Sequence, residues 1–181
     1  MDALPIRLRP LEEADFTDAY LGWFRDAEVT RFLDARNITR ADAVQHLLGG
    51  RDGARWHLFA VCRTDTGVHV GNLKIGPIHH RHGTSDLVTV IGDRTVWGRG
   101  VARAAIREGI ALAFGRFGIR KLSASIDSRN TGSIKAYCAA GFTEEARLKD
   151  QFLELTDGGP VLSDKVFVGC WNPDWQPPAG Y

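Results

Sequence analysis

The sequence predicts an α+β fold whose sheet contains one β-α-β crossover near its middle. Three observations lead to this prediction. The chain has 181 residues, which suits one domain at roughly 150 residues each. Segments with apolar residues at every second position occur beside segments of helical periodicity. A strand, a helix and another strand follow one another in the middle of the chain, an order typical of a parallel pair.

The individual elements follow from periodicity and capping signals. Helical spacing of apolar residues predicts a helix over residues 11–24. Thr39, with Asp42 three residues later, predicts the capping box of a second helix that ends at Gly49 and Gly50. Two more helices are predicted over residues 101–117 and 131–140. Alternation and β-branched residues predict strands at residues 6–9, 56–62, 68–75, 87–91, 121–126, 144–155 and 161–169. We expect one domain over residues 1–181, with a core at residues 6–171 and an irregular tail at residues 172–181.

Composition excludes several classes of protein. Lys and Arg number 23 and Asp and Glu 22, so the net charge of +1 argues against a nucleic-acid partner. No apolar run approaches the roughly 20 residues that span a bilayer, and the N-terminus shows no signal-peptide pattern. Cys62, Cys138 and Cys170 are widely spaced and form no CxxC pair. We therefore expect a cytoplasmic protein without a membrane partner.

The histidines at positions 79, 80 and 82 raise the question of a metal site. They lie in a predicted turn and lack a partnered Cys or Glu at zinc-ligand spacing. A solvated hairpin tip explains them better, and no metal is expected.

The most informative segment runs from Val90 to Arg103, where a predicted strand ends in a Gly-rich turn that opens into a helix. The first turn of a helix has unpaired amides and a partial positive charge, so it favours anions. Gly98 and Gly100 allow positive φ and the close approach of a ligand, and Arg99 adds positive charge. The segment predicts a pyrophosphate site.

Three phosphate loops and a plain Gly-rich helix cap compete for this segment. The dinucleotide fingerprint GxGxxG needs Gly or Ala where the chain has Arg103, and the P-loop needs a Gly-Lys-Ser/Thr sequence that is absent. The (Gln/Arg)-x-x-Gly-x-(Gly/Ala) loop of acyl-CoA-dependent N-acyltransferases is matched in its second half by Gly100 to Ala102. From the loop alone, this loop and the helix cap both stay open.

A second motif follows the next predicted strand. Asn130, Ser133, Tyr137, Gly141 and Phe142 have the spacing Asn-x-x-Ser-x-x-x-Tyr-x-x-x-Gly-Phe. This segment resembles a motif of the GNAT superfamily of N-acetyltransferases.

Taken with the loop that begins at Trp97, the chain resembles the RimJ/RimL-like branch of that superfamily from about residue 6 to residue 175. The branch often has Trp where the superfamily has Gln or Arg. The resemblance implies a GNAT-type fold: a mixed, mostly antiparallel twisted sheet with a central splayed parallel strand pair and helices on both faces.

The resemblance also implies acetyl-CoA as the acyl-donor cosubstrate, with its pantetheine in the gap between the splayed strands. Main-chain groups of Val90 and Ile91 would bind the pantetheine or the acetyl oxygen. Asn130 would hold the pantetheine arm, and Ser133 would cap the helix or touch the cosubstrate. The pyrophosphate would be cradled by the loop residues Gly98, Arg99, Gly100, Val101, Ala102 and Arg103.

Tyr137 lies where the family's general acid often lies, and it would protonate the departing thiolate. The general base stays open. Asp86, on the strand before the loop, is the leading side chain. Its rivals are Asp93, Asp127 and a histidine of the turn at residues 79–82, and family members often use an ordered water instead.

These residues predict an acetyl-CoA-dependent N-acetyltransferase that acts on a primary amine by direct attack through a tetrahedral intermediate. The acceptor stays open between an amino sugar, a protein N-terminus and a small polyamine-like amine. In related enzymes the region of residues 23–36 covers the acceptor site. A homodimer is compatible with the resemblance. The alternative is a CoA-binding regulatory or interaction module without transferase activity, because fold and function are separable.

Overall fold

The computed structural model describes residues 4–51 and 55–177, and within them seven strands form one sheet. The strands are β1 (Ile6–Pro10), β2 (His57–Arg63), β3 (His69–His79), β4 (Thr84–Ile91), β5 (Lys121–Asp127), β6 (Thr143–Thr156) and β7 (Gly159–Trp171). Their order is β1-β2-β3-β4-β5-β7-β6. Every neighbouring pair is antiparallel except β4 and β5, which are parallel. The predicted α+β fold with a central parallel pair is confirmed.

Five α-helices accompany the sheet in the described part of the chain: α1 (Asp18–Trp23), α2 (Ala27–Thr30), α3 (Arg40–Arg51), α4 (Val101–Gly115) and α5 (Thr131–Ala140). The capping box predicted at the start of α3 is confirmed. The Thr39 hydroxyl accepts the Asp42 amide at 3.2 Å, and the Asp42 carboxylate accepts the Thr39 amide at 2.8 Å. None of the described helices is long and apolar enough to cross a membrane.

The helix predicted over residues 11–24 is wrong in its first half. Residues Glu13–Asp15 form a 3-10 turn, and α1 begins only after Thr17. The Asp15 carboxylate accepts hydrogen bonds from the Arg9 guanidinium at 2.5 and 2.7 Å and from the Glu12 amide at 2.9 Å. Thr17 is extended and its hydroxyl accepts the Tyr20 amide. The apolar residues do have helical spacing, but these local polar hydrogen bonds break the segment into a 3-10 turn and a shorter helix.

The end of α3 is also a correction, because the helix continues through Gly49 and Gly50 to Arg51. A Cβ atom on Gly50 would lie 2.3 Å from the Trp56 indole nitrogen. This glycine therefore allows close packing of an indole ring, and it does not end the helix. In the predicted tail, residues 172–177 contain no helix or strand, and residues 178–181 lie outside the described part.

Two apolar cores fix the two faces of the sheet. On one face, here called the back face, α4 and α5 pack on residues such as Leu73, Leu87 and Val168. On the other, the front face, α1 and α3 pack on Ala60 and Cys62 of β2. Because side chains alternate between faces along a strand, this assignment also places the polar residues of the central strands.

The helices of the front face pack on its β1–β3 side. Asp86 and Val88 of β4, with Ser123 and Ser125 of β5, belong to the front face by alternation. Asp86 and Ser125 are exposed, and Val88 keeps 40% of its surface accessible. We call these four residues the front strip.

Candidate functional site

The central feature of the site is a gap between β4 and β5. The two strands pair only from Thr84 with Lys121 to Asp86 with Ser123. Beyond that point β4 continues to pair with β3, and β5 continues to pair with β7 as far as Asp127. The facing edges of both strands therefore carry main-chain groups that the sheet does not use. A sheet interior has such groups only where a ligand or side chain can satisfy them.

Three hydrogen bonds show which main-chain groups of β4 face the gap. The Leu87 carbonyl accepts the Tyr137 hydroxyl at 2.8 Å, and the Ile91 carbonyl accepts the Trp97 indole N–H at 2.9 Å. In contrast, the amide that follows Ile91, that of Gly92, bonds to Val70 of β3 at 3.0 Å. Main-chain direction alternates along a strand. The amides of Thr89 and Ile91 therefore face the gap, whereas the main chain of Val90 faces β3.

This alternation separates the two residues that were predicted to bind through their main chains. Ile91 is in a position to donate a main-chain hydrogen bond into the gap. Val90 is not, and Thr89, which sequence reasoning missed, takes its place. The hydroxyl of Thr89 is buried and has no hydrogen-bond partner in the described part of the chain. No sequence signal distinguishes Thr89 from Val90, because the direction of the main chain depends on the register of β4 with β3.

The Gly-rich loop leads into α4 with its amides free. Gly98 has φ +72° and Gly100, the residue before α4, has φ +75° with no side-chain cap, so the predicted positive φ values are confirmed. The first intrahelical bond of α4 runs from the Ala104 amide to the Gly100 carbonyl. The amides that bond to no described residue belong to Gly98, Gly100, Val101, Ala102 and Arg103. Such a group of amides at a helix N-terminus binds anions.

Basic side chains surround these amides. Arg99 and Arg103 are exposed beside the loop, and Arg94 lies over the Trp97 ring at 5.7 Å. The Trp97 indole, by its bond to the Ile91 carbonyl, connects the loop directly to the open edge of β4. The loop and the gap therefore form one continuous site.

Tyr137 lies inside the gap. The residue is 4% exposed, and its ring packs edge-on against Phe142 at 5.0 Å. Burial raises the pKa of the Tyr137 phenol well above its usual range, and the nearby hydroxyl and amide of Thr89 offset only part of that rise. The phenol therefore stays protonated at every physiological pH and can act as a hydrogen-bond donor.

Asn130 and Ser133 begin α5 at the other side of the gap. The Asn130 side chain caps the helix by accepting the Ser133 amide at 3.1 Å, so the helix cap is Asn130 and not Ser133. Beside this turn, Arg129 bonds to Asp127 at 2.8 Å and forms an ion pair with Glu154 of β6. These ion pairs fix the position of the loop that carries Asn130.

The candidate bases differ in how free their side chains are. Asp93 caps a 3-10 turn by accepting the Thr95 amide and hydroxyl at 2.9 and 2.6 Å. Asp127 is held by Arg129. Asp86, on the front strip, forms no hydrogen bond or ion pair with its side chain in the described part of the chain. Partial desolvation raises the pKa of Asp86, against the opposing effect of Lys74, His79 and Lys165.

The histidine turn lies at the far end of β3 and β4. His79 ends β3, and His80 and His82 are exposed in the turn that follows. Residues 4–51 and 55–177 include no group of three His, Cys, Asp or Glu side chains arranged to hold a metal ion.

One segment of the front face crosses the carboxyl ends of β4 and β5. At one end, Asp26 forms an ion pair with Arg94 at 3.3 Å, next to the end of β4. At the other, the Phe32 ring lies under the Arg129 guanidinium at 5.8 Å, next to the end of β5. Residues 26–32 therefore cover the open end of the gap on the front side.

Comparison with known proteins identifies the class of this site. A family model described as "Acetyltransferase (GNAT) domain" matches residues 6–143. The chain therefore belongs to the GNAT family of N-acetyltransferases, and it is an acyltransferase.

The individual proteins that match the chain share only 17% to 25% of its residues. The chain is 25% identical over 153 residues to an "Uncharacterized N-acetyltransferase p20" of Bacillus licheniformis, covering 82% of this chain and 84% of that one. Its fold is similar to a spermidine N-acetyltransferase from Vibrio cholerae in complex with CoA and spermine, with a TM-score of 0.78, 17% identity, and 92% and 95% of the two chains covered. It is also similar to a GNAT-family acetyltransferase from Bacillus anthracis, with a TM-score of 0.74, 18% identity, and 94% and 97% covered.

Proposed function

We propose that this protein transfers an acetyl group from acetyl-CoA to the nitrogen of a primary amine, as a member of the RimJ/RimL-like branch. One observation carries the proposal. The free amides at the start of α4 and the open edge of β4 form one continuous site, with the protonated phenol of Tyr137 in the gap. A pyrophosphate fits the free amides at the start of α4, and an extended thioester arm fits the open edge of β4.

The residues of the loop fit the pyrophosphate of acetyl-CoA. Gly98, Gly100, Val101, Ala102 and Arg103 offer amides with no described partner. The exposed guanidinium groups of Arg99 and Arg103 add charge, which compensates for the absence of a Gln or Arg side chain at Trp97. Acetyl-CoA itself supplies an activated thioester, whose thiol is a fair leaving group with a pKa near 8.5.

Main-chain amides of β4 stabilise the charge that develops on the acetyl oxygen. We assign this role to the amides of Thr89 and Ile91, which face the gap. A preorganised donor of this kind lowers the barrier by about 3 kcal/mol. On the opposite side of the gap, the amide nitrogen of Asn130 remains free to bind the pantetheine arm, because the helix cap uses only its oxygen. Ser133 lies one turn further along α5.

Tyr137 stabilises the departing thiolate. Its pKa lies well above that of a thiol, so full proton transfer from the phenol to the sulfur is uphill. The phenol instead donates a hydrogen bond to the sulfur, for which its hydrogen must leave the Leu87 carbonyl.

The amine approaches from the front face, where the front strip is open. Asp86 is our leading base because it is the candidate carboxylate with no side-chain partner. Its raised pKa makes it a better proton acceptor than an ordinary aspartate. An ordered water between the amine and Asp86 would serve the same purpose.

The experiment that tests this proposal measures thiol release from acetyl-CoA with a broad panel of primary amines. An N-acetyltransferase releases CoA only when a suitable amine is present, and the acetylated amine appears in equal amount. A protein that binds acetyl-CoA but releases no thiol with any amine would instead be the CoA-binding module.

A further inference from the structure

Two lysines of the front face lie on either side of the front strip. Lys74 belongs to β3, one strand from β4, and Lys165 belongs to β7, two strands from β4. Lys74 lies opposite Val88 of β4, about 5 Å away between strands, and Lys165 lies opposite Asp127 of β5, on the far side of the gap. Both ammonium groups lie close enough to Asp86 to influence its carboxylate.

Neither lysine forms an ion pair with a carboxylate in the described part of the chain. Lys165 places its ammonium over the rings of Phe167 at 5.3 Å and Phe152 at 5.8 Å. Lys74 places its ammonium 6.0 Å from the Trp56 ring. Aromatic rings attract a cation but do not neutralise its charge. Both ammonium groups therefore lie beside aromatic rings and keep their charge available to a ligand.

Two other cations near the strip already form ion pairs with carboxylates. Arg129 pairs with Asp127 and Glu154, and Lys121 pairs with Glu145 at 2.6 Å. Lys74 and Lys165 therefore differ from Arg129 and Lys121 in having no carboxylate partner in the described part of the chain. An anionic group on a ligand can pair with either ammonium, whereas the distal ammonium of a polycation placed beside them would be repelled.

We propose that the amine acceptor carries a phosphate or carboxylate group, which Lys165 binds with the help of Lys74, and that polyamines are poor acceptors. This inference rests on the proposed N-acetyltransferase activity. It assigns the two lysines to acceptor binding, whereas the bond-forming step remains with Tyr137 and the main-chain amides of β4.

The geometry also predicts where the two functional groups of the acceptor lie. The amine must reach the gap near Leu87 and Thr89, next to Asp86. The anionic group then lies to one side of the amine, over Val88 toward Lys74 or over Ser125 toward Lys165, which suits a compact acceptor such as a small amino acid or a phosphorylated amino sugar. A long polycation would place its distal ammonium beside Lys165.

The test compares acceptors that differ only in the anion. The matched pairs are glucosamine with glucosamine 6-phosphate, ethanolamine with phosphoethanolamine, and glycylglycine amide with glycylglycine, and spermidine is the polycation. We expect at least one anionic member to exceed its neutral partner and spermidine in kcat/KM by about tenfold or more, the scale of one charge-assisted hydrogen bond. The phosphate and carboxylate pairs show which anion the site prefers.

Variants of the two lysines test whether these residues bind the anionic group of the acceptor. At a pH where Asp86 is fully ionised, Lys165→Gln and Lys74→Gln should raise KM for the anionic acceptor about tenfold, with kcat and the KM for acetyl-CoA unchanged, and should leave the neutral partner unaffected. Arg7→Gln is the control, because Arg7 is an exposed cation on the distant edge strand β1. Added salt should reduce the advantage of the anionic acceptor in the wild-type protein only.

The outcomes separate this inference from the proposed function. Amine-dependent CoA release with spermidine or neutral amines as the best acceptors would overturn the anionic class and leave the transferase intact. Equal losses for anionic and neutral acceptors in Lys165→Gln would overturn the role of Lys165. Absence of thiol release with every amine would overturn both, because the acceptor class depends on the transfer reaction.

Discussion

The Tyr137→Phe variant removes the hydroxyl that donates a hydrogen bond to the Leu87 carbonyl of β4 in the gap. The substitution keeps the buried ring and its edge-on contact with Phe142. A preorganised donor to the thiolate is worth about 3 kcal/mol. The hydrogen must first leave the Leu87 carbonyl, which costs about 1 kcal/mol net. The difference of about 2 kcal/mol predicts a fall in kcat of about 30-fold.

The assay is single-turnover transfer, so that product release does not hide the chemical step. We expect the KM for acetyl-CoA to stay nearly constant, because the donor acts mainly after the acyl bond begins to break. Stability should fall as well, because the buried Leu87 carbonyl loses its partner, by about 1–3 kcal/mol.

Tyr20→Phe is the matched control for this variant. Tyr20 is also a buried tyrosine, 6% exposed, and burial raises its pKa to about 12, but it lies among α1 and β3 residues away from the gap. Tyr20→Phe removes a buried hydroxyl outside the gap, so we expect no change in the transfer rate. The reasoning is refuted if Tyr137→Phe keeps its single-turnover rate, or if both variants lose activity equally.

Three further predictions concern the loop, the base and the turn beside it. Gly98→Ala should weaken acetyl-CoA binding and, like Gly118→Ala, cost about 1–2 kcal/mol of stability, because both glycines have positive φ. Asp86→Asn should remove the acidic limb of the kcat/KM–pH profile and raise stability near neutral pH, because a carboxyl whose pKa is raised by folding opposes folding once ionised. Arg129→Met should destabilise the fold by about 2 kcal/mol, because Asp127 would lose its charged partner.

Each of these predictions has its own readout. Calorimetric titration separates Gly98→Ala from Gly118→Ala, whose added methyl groups would both meet no atom within 4 Å. Equal acetyl-CoA affinity in the two variants would show that the loop does not bind acetyl-CoA. An unchanged pH profile in Asp86→Asn would leave a water as the base.

The Arg129 network gives a test in acid. Desolvation alone would raise the pKa of Asp127, but its bonds with Arg129 outweigh that effect and lower it. A carboxylate with a lowered pKa contributes stability above its unfolded pKa of about 3.9 and loses it as the pH falls through its folded pKa. The destabilisation by Arg129→Met should therefore be full at neutral pH and shrink below about pH 4. A constant difference across that range would contradict the pairing.

Local signals made most of the fold predictable. The Thr39 capping box, the positive φ of Gly98 and Gly100 and the limits of α5 depend on residues close together in the chain, and the structure confirms them. The helix over residues 11–24 failed because an ion pair between Arg9 and Asp15 competes with helix formation, and periodicity does not report that competition.

The site was less predictable because its geometry depends on pairing across the sheet. The motif residues from Gly98 to Arg103 and Tyr137 could be chosen from their spacing. That the main chain of Thr89, and not that of Val90, faces the gap could not be predicted in this way, since it follows from the register of β4 with β3. Lys74 and Lys165 lie 91 positions apart and flank the front strip only because of the strand order.

The most direct test of the central claim is a thermal-shift titration with acetyl-CoA and CoA, with NAD and ATP as controls. A ligand present at 100 times its Kd stabilises the fold by about 2.7 kcal/mol. For a chain of this size that corresponds to a rise in Tm of about 5 to 10 °C. We expect this rise with acetyl-CoA and CoA, and its reduction in Gly98→Ala but not in Gly118→Ala. No shift with either at millimolar concentration, or an equal shift with NAD and ATP, would contradict the assignment of the loop and gap to acetyl-CoA.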